Sequence, residues 1–92
     1  MLEFEWDIQK ASRNVHKHQI TFEEASTVFA DILSVTFPDI QDAIHEERYL
    51  IIGLSSNNRI LVIAHLYRDE TVRIISARQA TKREQKYYEL TK

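Results

Sequence analysis

The chain has 92 residues, 43% of them hydrophobic, with 12 Lys+Arg against 14 Asp+Glu, one glycine, one proline and no cysteine. Such a length fits one domain, expected over residues 1–92, and the apolar content with a net charge of only −2 argues against disorder. The missing sulfur excludes a disulfide scaffold, a thiol nucleophile and a cysteine-based zinc finger. The longest apolar runs, Leu50 to Leu54 and Ile60 to Ala64, fall far short of the ~20 residues of a membrane span. The start is acidic and lacks the apolar stretch of a signal peptide. A cytoplasmic protein with no membrane partner is expected.

In chain order, Phe4-Glu-Trp6 alternates and reads as a short edge strand. Asp7 is an N-cap for a helix to about His18. Thr21-Phe-Glu-Glu24 is a capping box, opening a second helix that carries Ala25, Val28 and Phe29 on one face and stops near Asp31. Leu33 to Phe37 alternates up to Pro38 and predicts a strand, followed by an exposed acidic loop to Glu46. Arg48 to Ser55 and Arg59 to Tyr67 are strands joined by a turn at Ser56, Asn57 and Asn58. A second tight connection through Arg68, Asp69 and Glu70 leads to a strand from Thr71 to Ala77, rich in β-branched residues. Thr81-Lys-Arg-Glu84 repeats the capping box and opens a last helix to about Leu90. A strand, two helices, a four-stranded antiparallel meander and a C-terminal helix make an α+β fold. With turns centred on Asn57 and Asp69, Tyr49, His65 and Arg73 share one row of the meander, and Ile51, Ile63 and Ile75 the next.

Charge is segregated along the chain. Residues 1–58 hold four basic and ten acidic side chains, a balance of −6; residues 59–92 hold eight and four, a balance of +4. The basic third suits a polyanion, although the same charges also serve simply to solvate outer faces.

Several side chains could carry chemistry, each with a plainer role beside it. Lys17 and His18 close the first helix, where cations favour the dipole, or they clamp a phosphate beside a proton-transfer group. His16 and His18 diverge around a helix, no cysteine or clustered carboxylate completes a ligand set, and neither a metal site nor a cofactor is expected. His65 sits in a strand among aliphatic residues, either satisfied by Tyr49 or a carboxylate or transferring protons. Arg73 and Arg78, five apart, point to opposite faces if the strand runs straight. Each either pairs with a carboxylate such as Glu47 or Glu84, or spreads over a phosphoryl transition state. Lys82, Arg83 and Lys86 with Tyr87 and Tyr88 combine cations with rings on which bases stack, a pattern that also describes an amphipathic helix. No glycine-rich phosphate loop is present, so an NTPase or nucleotide-cofactor enzyme is a poor fit.

The Phe4-Glu-Trp-Asp7 start, Lys10, Asn14, Lys17-His18 and Phe22-Glu-Glu-Ala25 resemble the opening of the BrnT family of toxin–antitoxin toxins. Glu47-Arg-Tyr49, Ile52-Gly53 and Ser55 are similar to its central strand. Arg73 to Arg78, Ala80-Thr81 and Arg83-Glu84 resemble its closing motif. Gln19 departs from the pattern, standing where the family commonly has glycine.

The resemblance implies a RelE-like ribonuclease fold and RNA cleavage that arrests growth. It further implies neutralisation by a BrnA-type ribbon-helix-helix antitoxin, in a two-plus-two complex that reaches operator DNA through the antitoxin. The expected chemistry is metal-independent: a base removes the 2′-hydroxyl proton, the oxygen attacks the adjacent phosphorus, and a 2′,3′-cyclic phosphate and a 5′-hydroxyl result. Lys17 and Arg78 are expected to stabilise the phosphate, and His18 or His65 to move the proton. Arg73, Lys82, Arg83 and Tyr88 are expected to hold RNA. The acidic stretches Asp39 to Glu47 and Glu23-Glu24 repel phosphate and are left for the antitoxin or for a homodimer. The competing class is a non-catalytic module that binds RNA or protein, or a corepressor acting with its antitoxin.

Overall fold

The structure is a computed structural model that describes residues 2–39 and 47–90. Its elements are β1 (Glu3–Glu5), α1 (Ile8–His18), α2 (Phe22–Thr27) with a 3₁₀ turn at Val28–Ala30, β2 (Val35–Pro38), β3 (Tyr49–Leu54), β4 (Ile60–Arg68), β5 (Thr71–Gln79) and α3 (Lys82–Leu90). The expected α+β order holds. Most of the predicted acidic loop falls on residues 40–46, outside the described residues.

Each helix start shows what the sequence supplies. Asp7 accepts from the backbone N–H groups of Gln9 (2.8 Å) and Lys10 (3.1 Å), which begins α1. At α3 the capping box is complete: Thr81 N–H donates to Glu84 Oε1 (2.9 Å) and Glu84 N–H to Thr81 Oγ1 (3.2 Å). At α2 it is half made. Thr21 Oγ1 accepts from Glu24 N–H (3.0 Å), but the Glu24 carboxylate is taken instead by Arg59 and by Ser55 Oγ (2.7 Å). Gln19 ends α1 at φ 57°, the left-handed region where glycine sits without strain. A side chain there costs about 1–2 kcal/mol, and the turn is held by Arg59 Nη2 donating to the Gln19 carbonyl (3.2 Å).

The sheet order is β1-β5-β4-β3-β2. β2 to β5 form an antiparallel meander, and β1 pairs with β5 in parallel, Glu5 opposite Arg73. Ile20, Phe22, Ala25 and Val28 cover one face, packing on Ile51, Leu61, Ile63, Ile74 and Ala77. Tyr88 of α3 and Ala80 cover part of the other, over Ile52 and Val62 with Phe37 at the border. The chain's one glycine has a steric reason. A Cβ on Gly53 would lie 2.8 Å from Val28 Cγ1 and 3.0 Å from Ser34 Cβ, so the 3₁₀ turn crosses β3 where only hydrogen fits.

One part of the expected register is corrected. Tyr49 does lie opposite His65, and Ile51 opposite Ile63. The β4–β5 pairing, however, jumps from Ala64 opposite Ser76 to His65 opposite Ile74, leaving Ile75 as the extra residue of a β-bulge. His65 therefore faces Ile74 rather than Arg73, and Ile63 faces Ala77 rather than Ile75. Arg73 lies opposite Leu66 and Arg78 opposite Val62. Because Val62 and Leu66 share a face of β4, the bulge turns both arginines to the α3 side, where a straight strand would have split them.

Candidate functional site

The α3 side of the sheet gathers cations from two elements. Arg78, with a side chain 41% exposed, lies where β5 passes into α3. Its guanidinium holds the Glu84 carboxylate with two parallel bonds, Nη1 to Oε1 at 2.7 Å and Nη2 to Oε2 at 2.9 Å. That pairing raises the Arg78 pKa and, with help from the capping N–H of Thr81, pulls Glu84 down to about 2. Arg73 is tied to Glu5 of β1 at 2.7 Å. Lys82, Arg83 and Lys86 are exposed, and with Gln85 and Glu89 they line an open depression of about 630 Å³ along α3. Arg83 also lines a smaller groove of about 290 Å³ with Phe37, Glu84 and Tyr87.

The first helix reaches the same end of the sheet by another route. β1 pairs with Thr71 to Arg73, and among the described residues β5 has no strand partner on that side beyond Arg73. Asn14 of α1 takes the strand's place: its Nδ2 donates to the Ala77 carbonyl (2.9 Å) and its Oδ1 accepts from Ala77 N–H (3.0 Å). Lys17 and His18 stand three and four residues further, on the same stripe of the helix as Asn14. Lys17 is exposed and His18 half-buried. The two bonds seat α1 against β5 at Ala77, the residue before Arg78.

The sequence profile of the family described as "Ribonuclease toxin, BrnT, of type II toxin-antitoxin system" matches residues 6–84. The chain belongs to the BrnT toxin family. Among solved structures it is similar to the crystal structure of the Brucella abortus ribonuclease toxin, BrnT, with a TM-score of 0.68 and 22% identity, covering 89% of this chain and 100% of that one. That likeness shows a shared fold. No curated protein matches the sequence. BrnT membership makes the chain a ribonuclease toxin of a type II toxin–antitoxin system by family, and implies an RNA target and an antitoxin partner.

Within this BrnT fold the other expected site residues separate. His65 has no exposed surface and stands in an aromatic shell of Phe29, Tyr67 and Tyr49, with ring centroids 4.9, 5.3 and 6.1 Å away. Its Nδ1 is 3.2 Å from the Ile63 carbonyl, and among the described residues its Nε2 has no partner. Burial lowers its pKa, so it is held neutral. A side chain with no surface cannot touch an RNA phosphate, and His65 is a core residue here. Tyr88 is likewise 3% exposed, with its hydroxyl donating to Asp31; burial, and then that contact, push its pKa up to about 12. The accessible ring is Tyr87, 48% exposed and packed edge-on to Phe37. Sequence alone does not choose between the two tyrosines, because α3 has too few apolar residues to set its inward face. Among the described residues no three His, Asp or Glu side chains gather as a metal site, and no helix is long and apolar enough to cross a membrane.

His65 makes stability depend on pH. Its depressed folded value means that below the ordinary 6.5 the unfolded chain binds a proton that the native chain refuses. Stability is therefore lost as pH falls from about 6.5 through the folded value. Glu24 and Glu84 are held below their ordinary 4.5 and act only at lower pH. His65→Leu is expected to flatten the decline in melting temperature as pH falls below about 6.5. An unchanged slope in that variant would assign the decline elsewhere.

Proposed function

We propose that the chain is a metal-independent endoribonuclease in which Arg78 stabilises the phosphoryl transition state. The observation that carries this reading is the bulge at Ile75, which turns Arg73 and Arg78 to the face where α3 presents Lys82 and Arg83. Cations so placed can do the charge-stabilising work of a metal ion on a phosphodiester. Lys17 and His18, in the last turn of the helix that Asn14 ties to β5, supply a second phosphate contact and the proton-transfer group. The 2′-hydroxyl oxygen bonds to phosphorus as the 5′-oxygen leaves with a proton, giving a 2′,3′-cyclic phosphate and a 5′-hydroxyl. Arg73, Lys82 and Arg83 hold the backbone. A BrnA-type ribbon-helix-helix antitoxin neutralises the toxin in a two-plus-two complex in the cytoplasm.

A binding-only or corepressor reading draws support from one feature: Glu84 and Glu5 already satisfy the two arginines. Incubating RNA with the purified chain in excess EDTA separates the readings. Expected are new 5′-hydroxyl and cyclic-phosphate ends at an unchanged rate. RNA retained without new ends would establish the binding module, and cleavage abolished by chelation would overturn metal independence.

A further inference from the structure

We propose that Phe37 and Tyr87 form a stacking slot for one unpaired base of single-stranded RNA, next to Arg78. The proposal deepens the ribonuclease reading and takes RNA as ligand from it. Four observations meet at the groove. Its aromatic walls reach the surface: Tyr87 is 48% exposed and Phe37 half-buried, and the two rings meet edge to face at 6.2 Å and 79°, so a base would stack on the exposed Tyr87 ring beside Phe37. The groove is about 290 Å³, with Arg83 and Glu84 as its other walls. Glu84 is the carboxylate that holds Arg78, so a ring in the slot lies one side chain away from the guanidinium to which the proposed function gives the phosphate. Arg83 also lines the cationic depression with Lys82 and Lys86, so the slot opens beside a track suited to a phosphate backbone.

Aromatic rings interleaved with cations are the pattern that grips single strands, since every base offers a π-face and every linkage a negative charge. Charge complementarity selects this occupant. A protein segment seated here would have to cover Lys82, Arg83 and Lys86, offset only by Glu89, whereas RNA brings one phosphate per nucleotide. A base stacked inside a duplex cannot enter. The substrate is therefore single-stranded, and the base in the slot sets where the adjacent phosphodiester meets Arg78.

The test uses the full chain and fluorescent 2′-O-methyl oligomers of about eight nucleotides, one per base, which bind but lack the attacking hydroxyl. Tyr87→Ala is expected to weaken binding by roughly tenfold, and Tyr87→Phe, which keeps the ring, to stay within about twofold. An abasic oligomer should bind wild type and Tyr87→Ala equally, because the interaction removed by either change is the same one. A thermal melt checks that both variants fold. Oligomer binding unaffected by Tyr87→Ala overturns the slot, and if such a variant still cleaves unmodified RNA the ribonuclease reading survives on its own. Conversely, Tyr87-dependent binding by a wild-type chain that makes no new ends keeps the slot and refutes cleavage. Loss of antitoxin affinity in Tyr87→Ala with RNA binding intact would give the groove to protein and also overturn the proposal.

Discussion

Arg78→Ala is expected to fold and to lose roughly 10²–10³-fold in single-turnover cleavage of a short RNA, the scale of removing a preorganised charge donor from a transition state. Two features of the structure separate this loss from unfolding. The Arg78–Glu84 pair is open to solvent on the arginine side, at 41% exposure, so its removal costs about 1 kcal/mol or less. Glu84 also keeps its capping bond to Thr81 N–H, so α3 retains its start. Arg78→Lys is the informative control. It keeps the charge but loses the planar fork, and should recover only part of the rate while melting like wild type. Antitoxin binding should persist in both. An Arg78→Ala chain that melts normally and cleaves at near wild-type rate would remove Arg78 from the active site.

Much of this arrangement was legible in residues whose local signals agree with the fold. Asp7 and Thr81 are caps with nearby backbone N–H groups to satisfy, and a strong local preference leaves little for tertiary structure to decide. Asn58 and Asp69 take positive φ at the two hairpin turns, as the turn composition predicts. What escaped sequence reasoning depends on contacts between distant segments. The bulge at Ile75 has no local marker, because Arg73 to Arg78 contains neither glycine nor proline, yet one extra residue decides which face every later side chain takes. Glu24 carries the signature of a capping box, but Arg59 is 35 residues away and offers its carboxylate a charged partner. His65 looks like a titrating group in sequence; only the packing of Phe29, from the helical layer, shows it closed in. The same limit applies to Asn14, an ordinary polar residue on α1 until β5 is placed beside it.

Asn14→Ala is expected to produce the largest loss of stability of any polar substitution considered. The side chain is 6% exposed and makes three bonds to backbone: to the Ala77 carbonyl, from Ala77 N–H, and to the Ile20 carbonyl at 3.0 Å. Alanine leaves these groups without that partner beneath α1, where each unsatisfied group costs about 1–3 kcal/mol. With each group near the lower end of that range, the sum of roughly 3–5 kcal/mol is a large share of the ~5–15 kcal/mol that holds a domain together. In a chain of this size that corresponds to a melting temperature lower by about 12–40 °C. Asn14→Asp tests the cause. It can still accept from Ala77 N–H, but it cannot donate to the two carbonyls and sets a carboxylate against them, so it should be no more stable than the alanine variant. Where either variant remains folded at low temperature, cleavage should fall as well if, as proposed, Lys17 and His18 act from the helix that this bond ties to β5. Denaturant unfolding of both variants beside wild type provides the measurement. A midpoint shift equivalent to less than about 1 kcal/mol would mean that water or a neighbouring group replaces Asn14, and that α1 is held to the sheet by its apolar face alone.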